Sequence, residues 1–448
     1  MVPMQKLFSN RDLTKLIAPL FVEQLLILIV GMSDTIMVSS AGEAAISGVS
    51  IVNDVNNLMI ELLAALAGGG AVVVSQYLGL GDDRKTRLSA SQLVMISGLI
   101  SLAFGLVSLL FYRQILAVLF GSVEADVMNA ARTYFWITAL SFPFLGIYNS
   151  GAALYRSMNR TNTTMLVSIL MNVINVVGNY IGVFILHQGV AGVAWPTLIS
   201  RVVAAVLMIS LAFNTENPVS IHWKDIFSWE KEELKKILTI AVPNGVENGL
   251  FQFGKILLSV FVATYGTSQI AANGVVNSLS TLCYASESAL QLAVISVIGR
   301  CVGANDYSQA DYYIKKFMKV GVLLAVVNNL IAFAVMPYAL RLYSLSDETY
   351  RIASFMLDME CIAIACLHTQ AFVLPSALRA AGDAKYTMVI GVLSMFVCRV
   401  GGAYLLGTVL GFGVIGTRIA WYIDWSTRIF FFVWRYRSGK WKNYRLVG

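Results

Sequence analysis

Residues 16–38 read LIAPLFVEQLLILIVGMSDTIMV, an apolar run with one proline near its start and two acids, Glu23 and Asp34. A helix that crosses a bilayer needs about 20 mostly apolar residues, and this run is long enough. It is continuous, whereas the strands of a membrane barrel alternate over about 10 residues. Lys6, Arg11 and Lys15 precede it. The run is too long for the apolar core of a cleaved leader and lacks a small-residue cleavage pattern, so it is expected to be an uncleaved first span.

Eleven more such runs follow, at 50–77, 88–111, 129–155, 163–186, 190–213, 235–262, 275–300, 316–336, 348–378, 387–407 and 413–434. The composition agrees. Of 448 residues 57% are hydrophobic and 13% charged, against about 25% charged in a soluble domain. That excludes an ordinary cytosolic enzyme, a disordered chain and a secreted disulfide scaffold. The five cysteines, Cys283, Cys301, Cys361, Cys366 and Cys398, form no C-x-x-C and mostly sit in apolar runs. They read as small core hydrophobes. With the amino terminus inside, the inner segments hold 23 of the 32 Lys and Arg. This split predicts both termini in the cytoplasm and a multi-pass protein of the plasma (inner) membrane.

The two halves repeat. At one constant offset Pro19 meets Pro243, Glu23 meets Glu247, and Gly42, Ile46 and Asn53 meet Gly266, Ile270 and Asn277. Gly79 and Asp82 meet Gly303 and Asp306. One position out of that register, Arg156, Thr164 and Met165 meet Arg379, Thr387 and Met388; Gly189 and Gly192 return to it against Gly413 and Gly416. Matches at Pro, Gly, Asn, Asp and Arg in one register are hard to obtain by chance. The expected fold is an all-α polytopic membrane protein of twelve helices in two six-helix lobes related by a parallel repeat. The expected domains are 1–213, a cytoplasmic linker 214–236, and 237–448.

Charge inside the membrane points to function, because an Asp at a helix centre costs roughly 2.5–3.5 kcal/mol on insertion scales. Asp34 follows Glu23 by close to three helical turns, so the two share a helix face. A buried carboxyl there suits a proton carrier, and it equally suits a hard cation such as Na⁺. Asn53, Asn57 and Glu61 form a stripe on the second span, beside Asp54. Asn172, Asn175 and Asn179 form one on the fifth. Asn273, Asn277, Ser280, Tyr284, Glu287 and Gln291 form one on the eighth. Such stripes face either another helix or a water-filled cavity; those containing acids fit a cavity better. In the second half Glu247 and Lys255, with Asp358, Glu360 and His368, are further cavity candidates. Arg399, Arg418 and Asp424 are expected to pair. Pro19 and Pro243, at equivalent places, are candidate bending points.

Soluble-enzyme chemistry is not supported. His187, His222 and His368 are scattered, and there is no G-x-x-x-x-G-K-[ST] loop. Gly68-Gly69-Gly70 reads as a close-packing site. The basic residues read as topology determinants, so no nucleic-acid partner and no cofactor are expected. Residues 79–87, GLGDDRKTR, resemble the G-x-x-x-D-R-x-G-R loop of major facilitator transporters. The later glycine is Thr86, however, and the equivalent loop Gly303-Ala304-Asn305-Asp306 has no Arg.

A fuller resemblance covers nearly the whole chain. Met32-Ser33-Asp34-Thr35-Ile36-Met37-Val38 followed by Gly42-Glu43-Ala44-Ala45-Ile46-Ser47-Gly48-Val49 is similar to the V-D-T-x-M-V-G…G…A-[IL]-A-A pattern of multidrug and toxic compound extrusion (MATE) transporters. So are Ala71–Gly79, Gly189–Ala194 and Leu378–Asp383 in their places. The resemblance implies a V-shaped pair of six-helix bundles that alternates between inward- and outward-open states. It implies export of amphipathic, often cationic organic compounds in exchange for H⁺ or Na⁺; separately, a monomer in the bilayer is expected. It assigns Asp34 to ion coupling, with Asn175 and Asn179 beside it, and Pro19 to helix bending; Asp34 is a metal ligand only if Na⁺ is the ion. The chain departs from the pattern at Asn179, where many members carry Asp, and at Phe251 and Gln252, where some carry an acid. The alternatives are a flippase for a lipid-linked saccharide, of the same superfamily architecture, and a major-facilitator-type exporter.

Overall fold

The structure is a computed structural model that describes residues 7–121, 123–341, 343 and 345–447, and all of their side chains except those of Met32, Thr35, Ser39 and Leu282. Lys6, and the side chains of Met32 and Thr35 in the first-span motif, lie outside that description.

The described residues form helices and turns, with no strand. All twelve expected spans are helical, and most run longer than expected. In the first half they are Asn10–Ser39, Glu43–Leu80, Asp83–Phe120, Ala125–Leu140 with Phe142–Ser157, Thr161–Tyr180 with Ile181–Ile185, and Ala191–Ala212. In the second they are Lys231–Ala263, Thr267–Cys283 with Ala285–Gly303, Tyr307–Arg341, Asp347–Ala363 running on to Ala380, Ala384–Ser394 running on to Val409, and Gly413–Arg437. Ten of these are long and apolar enough by themselves to cross a membrane, and a bent pair makes eleven. The last helix is not among them; Arg418, Asp424 and Arg428 sit in its middle.

Two expected spans are not single rods. The fourth breaks at Ser141 with a bend of 46°. Pro143 stands in the first turn after the break, where its missing N–H costs nothing. The eighth breaks at Tyr284, and the Cys283 carbonyl freed there accepts from Asn328 Nδ2 at 2.7 Å and Asn329 Nδ2 at 3.3 Å. By contrast, the first and seventh helices continue through Pro19 and Pro243.

The backbone confirms the repeat. Left-handed φ values recur as pairs: Gly42 with Gly266, Gly81 with Asn305, Asn159 with Gly382, His187 with Gly411, and Gly189 with Gly413. Each pair keeps the register read from the sequence, to within one position. A left-handed residue is the usual way to turn a chain out of one helix towards the next, and Gly or Asn adopts it at least cost. The aspartates before the third and ninth spans also match. Asp82 accepts from the Lys85 N–H at 2.9 Å and Asp306 from the Gln309 N–H at 3.0 Å, two equivalent N-caps.

Packing divides the chain into two compact units, Asn10–Gly245, and Val246 onward together with residues 7–9. The sequence had placed a separate linker at 214–236 and the second lobe from 237. The difference has a physical cause. Glu233 is buried and accepts from the Tyr77 hydroxyl at 2.7 Å and the Ser89 hydroxyl at 2.5 Å, with Lys236 at 2.8 Å. Gly69 has no Cβ, so the Ala241 backbone packs directly on it. The linker and the start of the seventh span are thus held by the second and third spans. In the other unit Phe8 exchanges two 2.8 Å hydrogen bonds with the Tyr313 hydroxyl, through its N–H and its carbonyl, and the Leu7 N–H donates to Gln309. Tyr313 is the repeat equivalent of Ser89. The segment leading into each half therefore docks on the third helix of the opposite half.

Candidate functional site

The first span packs along the fifth, and both of its acids face that helix. Glu23 meets Arg156 Nη2 at 2.6 Å and accepts from Thr164 at 3.1 Å. Asp34, three turns on, accepts from Asn179 Nδ2 at 2.6 Å. The shared face read from their spacing is correct, but their surroundings differ. Glu23 is buried in an ion pair, whereas Asp34 lines a cavity of about 360 Å³ inside the first unit.

Around Asp34 a chain of polar side chains runs across three helices. Asn179 Nδ2 also donates to Asn175 Oδ1 at 3.2 Å, and Asn175 Nδ2 donates to Thr197 Oγ1 at 3.0 Å. Asn53, Asn57 and Asn172 line the same cavity, as their stripes predict. So does Arg201, whose Nη1 donates to Ser141 Oγ at 2.7 Å, at the break in the fourth span. Two buried amide atoms, Asn172 Nδ2 and Asn179 Oδ1, have no partner. Leaving such groups unpaired is expensive, and Asn172, the one of the two that lines the cavity, would be satisfied by a water or another polar guest there. Its oxygens, from a carboxylate, an amide and a hydroxyl, are ligands for a hard cation, and the carboxylate alone can carry a proton. Among the described residues no three His, Cys, Asp or Glu are grouped to hold a metal.

The sequence reading missed Thr197, Arg201 and Asn56. Thr197 and Arg201 are four residues apart on the sixth span, so they share a face; the intramembrane charge of Arg201 was the available signal. Asn56 is buried and bonds Thr138 across the cavity wall at 3.4 Å. It falls between Asn53 and Asn57 and was hidden by the four-residue spacing of that stripe. Glu61, expected on the same stripe, is exposed and does not line the cavity; it lies a full turn beyond Asn57, past the end of the opening.

The second-half candidates converge only in part: Asn273, Asn277 and Glu360 meet at Arg418, while Glu247, Lys255 and Glu287 have other neighbours. Glu247 pairs with Arg379 at 3.1 Å, and Gly391 lies flat against its carboxylate. The Lys255 ammonium lies over the Phe251 ring at 5.7 Å. Glu287 is fully buried and accepts from Ser286 at 2.9 Å, leaving Oε1 unpartnered. Asn273 and Asn277 both accept from Arg418, which lies 3.6 Å from Glu360. The expected pairing of Arg399 with Asp424 is present at 2.8 Å, and Arg428 joins it at the same distance. Phe251 and Trp421 stack on these guanidinium groups at 4.4–4.9 Å. This is a closed knot of charge and aromatic surface.

Comparison with known proteins agrees with the repeat. The MatE family model matches twice, at residues 19–181 and 243–405, so the two matches start at Pro19 and Pro243 and keep the register of the repeat at both ends. The "Uncharacterized transporter YisQ" of Bacillus subtilis (strain 168) is 27% identical over 444 residues, covering 98% of this chain and 96% of that protein. The "Probable multidrug resistance protein NorM" of Thermotoga maritima is 22% identical over 441 residues, covering 97% and 93%. Among solved structures, a MATE crystal structure in the bent conformation shares the fold with a TM-score of 0.88 at 19% identity, covering 97% of this chain and 96% of that one. With the family model matched once in each half and relatives aligned end to end, this chain belongs to the MatE family of multidrug and toxic compound extrusion transporters.

Proposed function

We propose that this transporter exports amphipathic, often cationic organic compounds by alternating access, driven by exchange for H⁺ at Asp34. One observation carries the choice of ion. Asn179, at a position where a second carboxylate is common in the family, presents its N–H to Asp34 at 2.6 Å. A hydrogen-bond donor and a metal cation compete for the same carboxylate lone pairs, so the site as built suits a proton. Na⁺ in its place needs the Asn179 amide to turn its oxygen inward.

The mechanism needs no contact between ion and substrate, only a preference of each for a different state. Hydrogen bonds to a charged acceptor are worth about 1.5–3 kcal/mol and neutral ones about 1. Protonating Asp34 therefore weakens its link to Asn179 by roughly 0.5–2 kcal/mol, about 2–30-fold in an equilibrium. It also removes the charge that faces Arg201 across the cavity. The first span is then free to repack, and the transporter favours the state that releases drug.

The test is dye efflux from vesicles holding the purified protein, under an imposed pH gradient or an imposed Na⁺ gradient. Wild type should respond to the pH gradient and Asp34→Asn to neither. Full coupling in Asp34→Asn rejects the assignment, and efflux driven by Na⁺ alone replaces H⁺ with Na⁺. Dependence of growth on a lipid-linked saccharide, with no efflux, favours the flippase alternative.

A further inference from the structure

The segment joining the two halves carries its aromatic residues on the outside. Trp223, Phe227 and Trp229 are 64%, 80% and 59% exposed. They are held there, because buried Gln92 of the third span donates to the carbonyls of Asp225 at 2.8 Å and Ser228 at 2.7 Å and accepts from the Glu230 N–H. Trp223 in turn stacks on Phe213 at 4.6 Å. A fixed, exposed aromatic cluster at the polar edge of membrane helices is the signature of the lipid–water interface.

Beside it lies a surface groove of about 510 Å³ between the third and seventh spans. Ile96, Leu234 and Leu238 form its apolar floor, and Trp229, Lys231 and Lys235 stand at its rim. Lys231 and Lys235 are one helical turn apart and point along the same face. Glu230 and Glu232 are exposed nearby, but neither lines the groove. An apolar floor fits an acyl chain, and two ammonium groups with an indole N–H fit a phosphate at headgroup depth. We propose that this groove is a binding site for an anionic phospholipid, seated with its headgroup on Lys231, Lys235 and Trp229. The site lies apart from Asp34 and needs only that the chain spans a bilayer, so it stands or falls separately from the coupling reading.

The experiment reconstitutes the full chain in bilayers containing brominated phosphatidylglycerol or brominated phosphatidylcholine. Quenching at the groove is the difference between wild type and Trp229→Phe. Brominated phosphatidylglycerol should quench that signal at a several-fold lower mole fraction than phosphatidylcholine. Each lysine near an anionic surface is worth about fivefold. Lys231→Gln with Lys235→Gln should therefore erase the preference while phosphatidylcholine still quenches, which shows that the groove is intact. Equal quenching by both lipids in wild type overturns the proposal, as does a preference that survives the double substitution. Glycerol 3-phosphate should not relieve the quenching; if it does, the site is one for free phosphate and the lipid assignment fails.

Discussion

The two lobes descend from one repeat, yet their interiors are opposites. In the first, Asp34 faces a cavity walled by amides. In the second, the equivalent position is Leu258, buried in an apolar cluster with Met395, Ala403 and Ala420. Thr197, which ends the hydrogen-bonded chain from Asp34, corresponds to Trp421, which stacks on Arg399 and Arg418. What both lobes keep is the ion pair in the middle of their first helix: Glu23 with Arg156, and Glu247 with Arg379. These four residues hold equivalent places, four residues after equivalent prolines in the case of the acids. The scaffold contacts are thus duplicated, while the equivalent interior position faces a cavity at Asp34 and an apolar cluster at Leu258. Under the proposed coupling, the first lobe changes its charge state and the second keeps it.

The largest expected effect tests the interior of the second lobe. Asp424→Leu leaves Arg399 and Arg428 without their carboxylate, and removing one partner of a buried ionic network costs about 3–5 kcal/mol. Asp34→Leu, which copies Leu258 into the first lobe, should abolish coupled efflux and leave stability little changed. Thermal unfolding of the purified proteins in detergent compares them, and equal melting shifts would collapse the distinction between the lobes.

Next come the duplicated pairs. Glu23→Gln and Glu247→Gln keep the shape and remove the charge. Each should cost about 1.5–3 kcal/mol, the range for a hydrogen bond to a charged group, and the two costs should be similar. A silent substitution in one lobe and a severe one in the other would show that the pairs are equivalent in position only. A smaller effect is expected from Thr197→Val, which removes the acceptor for Asn175 without changing size. It should weaken pH-driven efflux by about 5-fold and lower stability by roughly 1 kcal/mol, that of a neutral hydrogen bond. Unaltered coupling would remove Thr197 from the site.

The smallest effects lie at the repeated N-caps. Asp82→Ala and Asp306→Ala should each cost about 1 kcal/mol. Hydrogen bonds from the Ser308 hydroxyl and the Gln309 N–H hold the Asp306 carboxyl below its ordinary range. Its contribution is therefore present above the ordinary Asp value of 3.8 and lost as pH falls through the folded value. Asp306→Asn should remove that acid-side loss of melting temperature, and an unchanged acid limb would show that the cap carries no pH dependence.

Much of this was legible in the sequence. The constant offset between the halves, the twelve helices and the facing of Glu23 and Asp34 towards one neighbour all follow from spacing. Apolar length sets a span, and the helical period sets a face. The left-handed turns were marked by Gly42, Gly189, Gly266 and Gly413 in register. The break at Ser141 was not legible, because Pro143 is equally compatible with a helix start or a kink.

Depth and partner depend on packing. Spacing along one helix fixes direction, but it does not say whether the neighbouring helix offers a guanidinium or an amide. Arg156 stands opposite Glu23 and turns it into a structural pair. Asn179 stands opposite Asp34 and meets it with an amide rather than a countercharge. The same limit explains the unit boundary: 214–236 is polar enough to read as a free linker, yet Tyr77 and Ser89 bury Glu233 and join it to the first lobe. Apolar length and helical period are local properties, so the chain read in order already yields two copies of one six-helix plan and the residues that carry charge into them. Neutralisation is not local. It took the contacts between helices to show which of those charges meet a countercharge and that Asp34 and Arg201 face a cavity.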